Sequence, residues 1–426
     1  MRARRTLAAC ALALAGAAAL PGCALLDAQG DIESVGQTTT IVGTVATPQA
    51  AHFPVIVGLI RDDGGPKSFT SYYLRRGEGP FRFQQGAGRY HVFAFEDRNE
   101  NLHYDEGELA YYAGGRGTPV AVAAGKTIDV GRLDLRAAVP EGLAEVRAIV
   151  KRDLAGSPEL SRVHRGSLAA WNDPRFTPAA GTEGMWTPYE ALKKYGAGMF
   201  FFEPYDPARV PVVFVHGING TALDFKPIID GLDRQRFQAW VFQYPSGFRL
   251  ELLSAWLASI LEELQIRYRV SQYAIVAHSM GGLVSRGAVN RIVAQGGAQP
   301  IALYVTISTP WEGHEAAEMG TRFSPVVLPV WLDMSPGSPY LKELFRSPLP
   351  DTQPYYLFFG YRGGSGTDGT VSLRSMLDLA AQDRALRVAG LPEDHDSILK
   401  SPLMIERLNA LLDRYAAPRA ASANRR

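Results

Sequence analysis

The segment Ala277-His278-Ser279-Met280-Gly281 places a hydroxyl nucleophile where an apolar run, Tyr273 to Ala277, meets a helical pattern. A small residue two before Ser279 and a glycine two after it suit a tight strand-to-helix turn, because larger side chains would block the close passage of strand and helix. Ala277 stands where glycine is more usual. Such a turn presents the hydroxyl at the carboxyl end of a sheet and turns a helix amino terminus toward developing negative charge. Upstream, Val212-Val213-Phe214-Val215-His216-Gly217-Ile218-Asn219-Gly220 reads as a buried strand followed by a glycine-rich loop. Backbone N–H groups of that loop and of the residue after Ser279 can converge on one carbonyl oxygen. The chemistry these residues suit is attack of a serine on an acyl carbon, with the oxyanion held by amides.

The His-Gly-Ile loop and the Ala-His-Ser-Met-Gly elbow resemble those of the α/β-hydrolases, bacterial lipases in particular. The resemblance spans about Gly198 to Tyr415. It implies that the Ile218 and Met280 amides are the oxyanion donors and that His216 shapes its loop and is not the base. It also implies the chain order serine, acid, histidine. Of eight histidines, only His314 and His395 lie well beyond Ser279, and His314 precedes any plausible acid strand. His395 remains, in Leu391-Pro-Glu-Asp-His-Asp-Ser-Ile-Leu-Lys400, which resembles the family's histidine loop. Asp368-Gly369-Thr370-Val371 follows an apolar strand and resembles the segment carrying the acid, with Asp333 and Asp351 as substitutes. The expected catalytic set is therefore Ser279, Asp368 and His395. The stretch from Ser308 to Ala317, followed by Met334 to Leu341, resembles lipase-like and GPI-inositol-deacylase-like hydrolases and points to an ester or lipid substrate. The apolar run Pro325 to Leu332 between them either lines an acyl pocket or packs in the core. The same triad serves acyl transfer, and a binding lipoprotein on a hydrolase scaffold is a third reading.

Among the supporting elements, residues 38–136 read as short strands between turn signals, an antiparallel β-sandwich domain. Residues 137–197 read as a helical or irregular connector, with Leu143, Val146, Ile149 and Val150 on one helical face. Residues 198–415 alternate strand and helix, which predicts a mostly parallel sheet covered on both faces, the α/β-hydrolase fold. Met199-Phe200-Phe201-Phe202 opens this domain as core, and residues 416–426 read as a disordered tail. In the sandwich, Asp97, Asn99, Asn101, Asp105 and Glu108 fit positions 1, 3, 5, 9 and 12 of a calcium loop, with the His103 carbonyl at 7. Leu102 sits at position 6, where glycine is expected, and strand-like segments flank the loop. The better reading is an Asx-rich hairpin, and neither metal nor cofactor is assigned.

The chain has 426 residues, 46% hydrophobic and 20% charged, the mix of globular domains with sizeable cores. Forty-four basic against 43 acidic residues leave +1, which offers no field for nucleic acid. With two cysteines, Cys10 and Cys23, neither a disulfide framework nor a cysteine zinc site is available. Arg2, Arg4 and Arg5 precede the apolar run Ala8 to Leu20, a signal peptide too short to span a bilayer. Leu20-Pro21-Gly22-Cys23 resembles the lipobox of bacterial lipoproteins. That resemblance implies removal of residues 1–22, a membrane anchor at Cys23, a linker over 23–37 and, with Ala24 rather than Asp next, the outer membrane of the cell envelope. Protein partners are not indicated.

Overall fold

Runs of Val, Ile, Phe and Ala that are apolar on both faces form the central strands of one eight-stranded sheet. A computed structural model describes residues 22–48, 53–112, 119–137, 146–147, 149, 162–295 and 300–416. The sheet is built from β9 (Val163–Leu168), β10 (Ala197–Phe201), β11 (Val210–Val215), β12 (Phe237–Gln243), β13 (Tyr273–His278), β14 (Ile301–Ile307), β15 (Tyr355–Gly360) and β16 (Arg387–Leu391). Its order is β16-β15-β14-β13-β11-β12-β10-β9, and every neighbouring pair is parallel except β10 with β12. Strands β11 and β13, the two that lead into the glycine loop and the elbow, are buried along their whole length. Two hydrophobic cores, one on each face, hold Val213 and Ile275 on one side and Val212 and Val276 on the other. This is the α/β-hydrolase architecture expected for residues 198–415, with one correction. The sheet also draws in β9, from the stretch read as connector, where the helices Pro178–Trp186 and Pro188–Tyr195 also lie.

Before it come β1 (Thr39–Ala46), β2 (Pro54–Arg61), β3 (Ser68–Arg76), β4 (Gly79–Gln85), β5 (Gly88–Glu96), β6 (Ala110–Tyr112), β7 (Val120–Val122) and β8 (Thr127–Asp134). They form a sheet of order β4-β1-β8 and another of order β3-β2-β5-β6, with β7 on β5. Residues of both, such as Ile41, Phe83 and Leu133 with Val57, Leu59 and Val92, share one core. The arrangement is not wholly antiparallel: β1 and β8 run parallel. Residues 23–37, expected to be linker, lie almost wholly in a helix, α1 (Gly22–Gly36), that is seated on the helix Pro188–Tyr195. Of the expected connector face, Val146 and Ile149 are buried in a cluster that also holds Phe95, Tyr112 and Ile266, while Leu143 and Val150 lie outside the described residues, as do residues 1–21 and 417–426.

Strand β3 docks the first sheets onto the long helix Leu250–Tyr268. Tyr72 donates to Glu263 at 2.8 Å, the Leu74 amide to Ser259 at 3.3 Å and Arg76 to Glu262 at 3.1 Å. Arg165 of β9 reaches the same Glu263 at 2.8 Å and lies 4.0 Å over the Tyr72 ring.

Candidate active site

Ser279 follows β13 directly and begins the helix Met280–Ala294 at φ 54°, a region that costs a side-chain-bearing residue strain and is characteristic of functional turns. The neighbouring glycines show why the turn closes. A Cβ on Gly281 would lie 2.2 Å from the Val215 carbonyl oxygen, and one on Gly217 would lie 2.9 Å from the Cβ of Ser279. The two loops therefore approach within the space a single methyl would fill. Ala277 is accommodated without exposure at the position where glycine is usual.

Strand β15 carries the chain to Asp368 and β16 carries it to His395, so neighbouring parallel strands deliver both loops to one edge. His395 Nδ1 lies 2.6 Å from Asp368 Oδ2, and since a carboxylate only accepts, the imidazole donates there. The His395 amide donates to the Asp368 carbonyl at 3.1 Å. Asp368 Oδ1 accepts from the Thr370 and Val371 amides at 3.0 and 2.8 Å. Burial pushes the Asp368 carboxyl upward, but the bond and charge of His395, with the two amides, outweigh it and hold the group below the usual carboxylate range. Ser279, Asp368 and His395 are 6, 0 and 8% exposed, and Ser279 and His395 both line one cavity.

That cavity measures about 710 Å3. Met185 and Trp186 form one wall, from the helix Pro178–Trp186. Met319 and Gly320, on Glu315–Phe323, and Trp331 and Met334, on Pro329–Met334, form the other. The Trp186 and Trp331 rings meet edge to face at 5.8 Å. The rim near His395 is polar, with Asp224, Asp396 and Lys400. The run Pro325 to Leu332 divides between its two readings: Trp331 lines the cavity, whereas Leu328 and Val330 are buried in the core.

Ile218 lines the cavity beside Ser279, and Met280 is the first residue of its helix, where an amide has no intrahelical acceptor. His216 is buried behind them. It donates from Nδ1 to the Gly217 carbonyl at 2.8 Å and stacks on Tyr244 at 4.1 Å, and burial lowers its pKa to about 4. The substitute acids stand elsewhere. Asp333 binds Arg249, and Asp351 pairs with Arg384 on the surface.

Two histidines outside the expected set also touch this machinery. His278 donates from Nε2 to the His395 carbonyl at 2.9 Å, and His314, on the cavity wall, bonds the Thr370 carbonyl at 2.9 Å. Neither contact has a sequence signature, because both partners are backbone oxygens. The calcium-loop residues occupy the turn between β5 and β6 and bind one another and their own backbone. Asp97 takes the Asn101 and Leu102 amides, Glu108 the Arg98 and Asp105 amides, and Asp105 the amides of Asn99 and Asn101 side chains. Leu102 itself adopts φ 64° where glycine was expected. Cys23 lies in the first turn of α1.

Among solved structures, a lipase of Bacillus licheniformis in mature form matches with 21% identity over 50% of this chain and 97% of its own, at TM-score 0.40. Lipase B of Aspergillus fumigatus matches with 16% identity over 52% and 56%, at TM-score 0.40. A phospholipase of Legionella pneumophila matches with 16% identity over 39% and 44%, at TM-score 0.33. No curated protein matches the chain. The family described as "Alpha/beta hydrolase family" matches residues 212–425, half of the chain and the part that carries the elbow, the glycine loop and the Asp368–His395 pair. The chain belongs to the alpha/beta hydrolase family.

Proposed function

We propose that the protein is a membrane-anchored serine hydrolase that cleaves carboxylic esters of lipids through Ser279, His395 and Asp368. The observation that carries this reading is the 2.6 Å His395–Asp368 hydrogen bond opening onto the same cavity as the strained Ser279. With its Nδ1 proton held by Asp368, His395 keeps Nε2 free to take the Ser279 proton as the hydroxyl attacks the acyl carbon. The Ile218 and Met280 amides receive the oxyanion, a contribution of ~3 kcal/mol per donor in comparable sites. His395 then protonates the departing alcohol, and water releases the acyl-enzyme. The apolar walls at Met185, Trp186, Met319 and Trp331 suit an acyl chain, and the rim at Asp396 and Lys400 suits a polar leaving group.

Anchoring through Cys23 agrees with where α1 sits. Asp31 accepts from the Tyr189 and Glu190 amides at 3.0 and 2.7 Å, which clamps α1 to the helix that directly follows the cavity wall ending at Trp186. Cys23 is about 12 Å along the helix axis from that clamp, so a lipid there would hold the cavity close to the bilayer.

The deciding experiment is fluorophosphonate labelling of the purified protein, wild type beside Ser279→Ala, followed by an ester series with and without an alcohol acceptor. Labelling of wild type alone, with release of free acid, is expected. A folded wild type that takes no label removes the proposal, and acyl product only with the alcohol turns it into a transferase. Loss of membrane fractionation in Cys23→Ser tests the anchor separately.

A further inference from the structure

We infer that His314 is a positioning residue for the acid of the triad, holding the Thr370 carbonyl so that the Asp368 loop keeps its carboxylate on His395. The inference rests on the reading of Ser279, His395 and Asp368 as a triad.

The hydrogen bonds leave His314 one arrangement. Its Nδ1 lies 3.1 Å from the Ala316 amide, which can only donate, so Nδ1 must be unprotonated. The proton is therefore on Nε2, 2.9 Å from the Thr370 carbonyl, which can only accept. Neither nitrogen is left over for a substrate or for Ser279. A protonated ring would set an N–H against the Ala316 N–H, and burial lowers the His314 pKa in the direction that avoids this.

Thr370 lies two residues after Asp368 in the acid loop. Its own amide and that of Val371 donate to Asp368 Oδ1, while Asp368 Oδ2 takes the His395 proton. The Thr370 carbonyl shares one planar trans peptide with the Val371 N–H, so it points away from the carboxylate when that N–H points at Asp368 Oδ1, and His314 is the group that donates to it there. His314 is also the N-cap of the helix Glu315–Phe323, whose Met319 and Gly320 line the cavity. One imidazole thus ties the cavity wall to the acid loop.

The test compares His314→Asn with His314→Gln. Asparagine keeps a capping oxygen for the Ala316 amide but is too short for Thr370; glutamine extends an amide N–H to where Nε2 was. Each is measured alone and with Asp368→Asn, reading the rate of fluorophosphonate acylation of Ser279. His314→Asn is expected to slow acylation roughly tenfold, the upper worth of one hydrogen bond, with His314→Gln recovering most of the rate. In the Asp368→Asn background the His314→Asn effect should shrink to about twofold or less, because the two act as one unit. An equal loss in both backgrounds, or Gln no better than Asn, overturns the inference. The far-downfield proton resonance between His395 and Asp368 gives a readout independent of reactivity. It should persist in wild type and His314→Gln and broaden in His314→Asn, and an unchanged signal in His314→Asn overturns the inference even if the wild type takes no label.

Discussion

Asp333 and Arg249 form a two-pronged ion pair, at 2.6 and 2.9 Å, and the same carboxylate accepts the Leu250 amide at 2.7 Å. Arg249 precedes the helix Leu250–Tyr268 without capping it from its own side chain, so Asp333, from the cavity-wall helix Pro329–Met334, caps that helix in its place. Asparagine at 333 keeps an oxygen for Leu250 but loses the charge and the second acceptor oxygen, whereas leucine leaves both the amide and the guanidinium without a partner there. We expect Asp333→Asn to cost about 1 kcal/mol and Asp333→Leu about 3 kcal/mol, read as urea midpoints at constant slope. Fluorophosphonate labelling should survive in Asp333→Asn. Its loss in a folded protein would return Asp333 to the list of candidate acids.

Glu263 is almost wholly buried between Tyr72, Arg165 and Arg267 and joins the first sheets to the hydrolase helix. Removing it strands the Arg165 guanidinium, itself largely buried, while Tyr72→Phe deletes a single hydrogen bond. Glu263→Ala should therefore destabilise by about 3 kcal/mol or more and Tyr72→Phe by about 1 kcal/mol, in equilibrium unfolding. Equal effects would mean that the charges are hydrated in the native protein.

The elbow was legible because strain dictates composition: only small residues let Ser279 and Gly281 pass beneath Val215, and that requirement is written in consecutive positions. Chain order singles out His395, while Asp368 is legible only from the likeness of Asp368-Gly369-Thr370-Val371 to the family's acid segment, since Asp333 and Asp351 fit the same order. Strand β9 was not, since Val163-His-Arg-Gly-Ser-Leu168 lies at a sheet edge, half-exposed, with no alternation to mark it. Helix α1 was read as linker because it carries three glycines and gains its hold from Asp31 capping a helix more than 150 residues away. His314 falls outside the expected order of serine, acid and histidine, and its bond to a backbone carbonyl leaves no mark on any other residue type.

Gly217 offers a way to separate site geometry from folding. A methyl there would lie 2.9 Å from Ser279 Cβ and 3.3 Å from Oγ, contacts with the proposed nucleophile, whereas a methyl on Gly281 meets two backbone carbonyls. Gly217→Ala should keep its thermal midpoint within a few degrees, equivalent to about 1 kcal/mol, and lose acylation rate by at least about tenfold. Gly281→Ala should lose both together, because the backbone has no room to yield. Normal labelling of Gly217→Ala would show that the loop moves aside and that the amide of Ile218 is not held against Ser279.

Acid should unfold the protein through histidines that catalysis does not use. Burial lowers His216 from 6.5 to about 4, and burial together with the charge of His395 lowers His278 to about 3. The unfolded chain takes up protons at these rings below about pH 6.5 that the folded chain refuses, so their contribution to stability is complete above that pH and is lost as pH falls toward 4 and 3. Each ring adds at most about 1.4 kcal/mol per pH unit in that window. Burial also lowers His164 to about 4, so unfolding free energies measured from about pH 7 to about pH 4.5 should fall with a slope approaching three times that figure. His216→Asn can still donate to Gly217 and should remove one ring's share of the slope, even if it lowers stability at every pH. An unchanged slope in that variant would mean that the imidazole is hydrated before the fold opens, and that the loop behind Ile218 and Met280 loosens in acid ahead of the sheet.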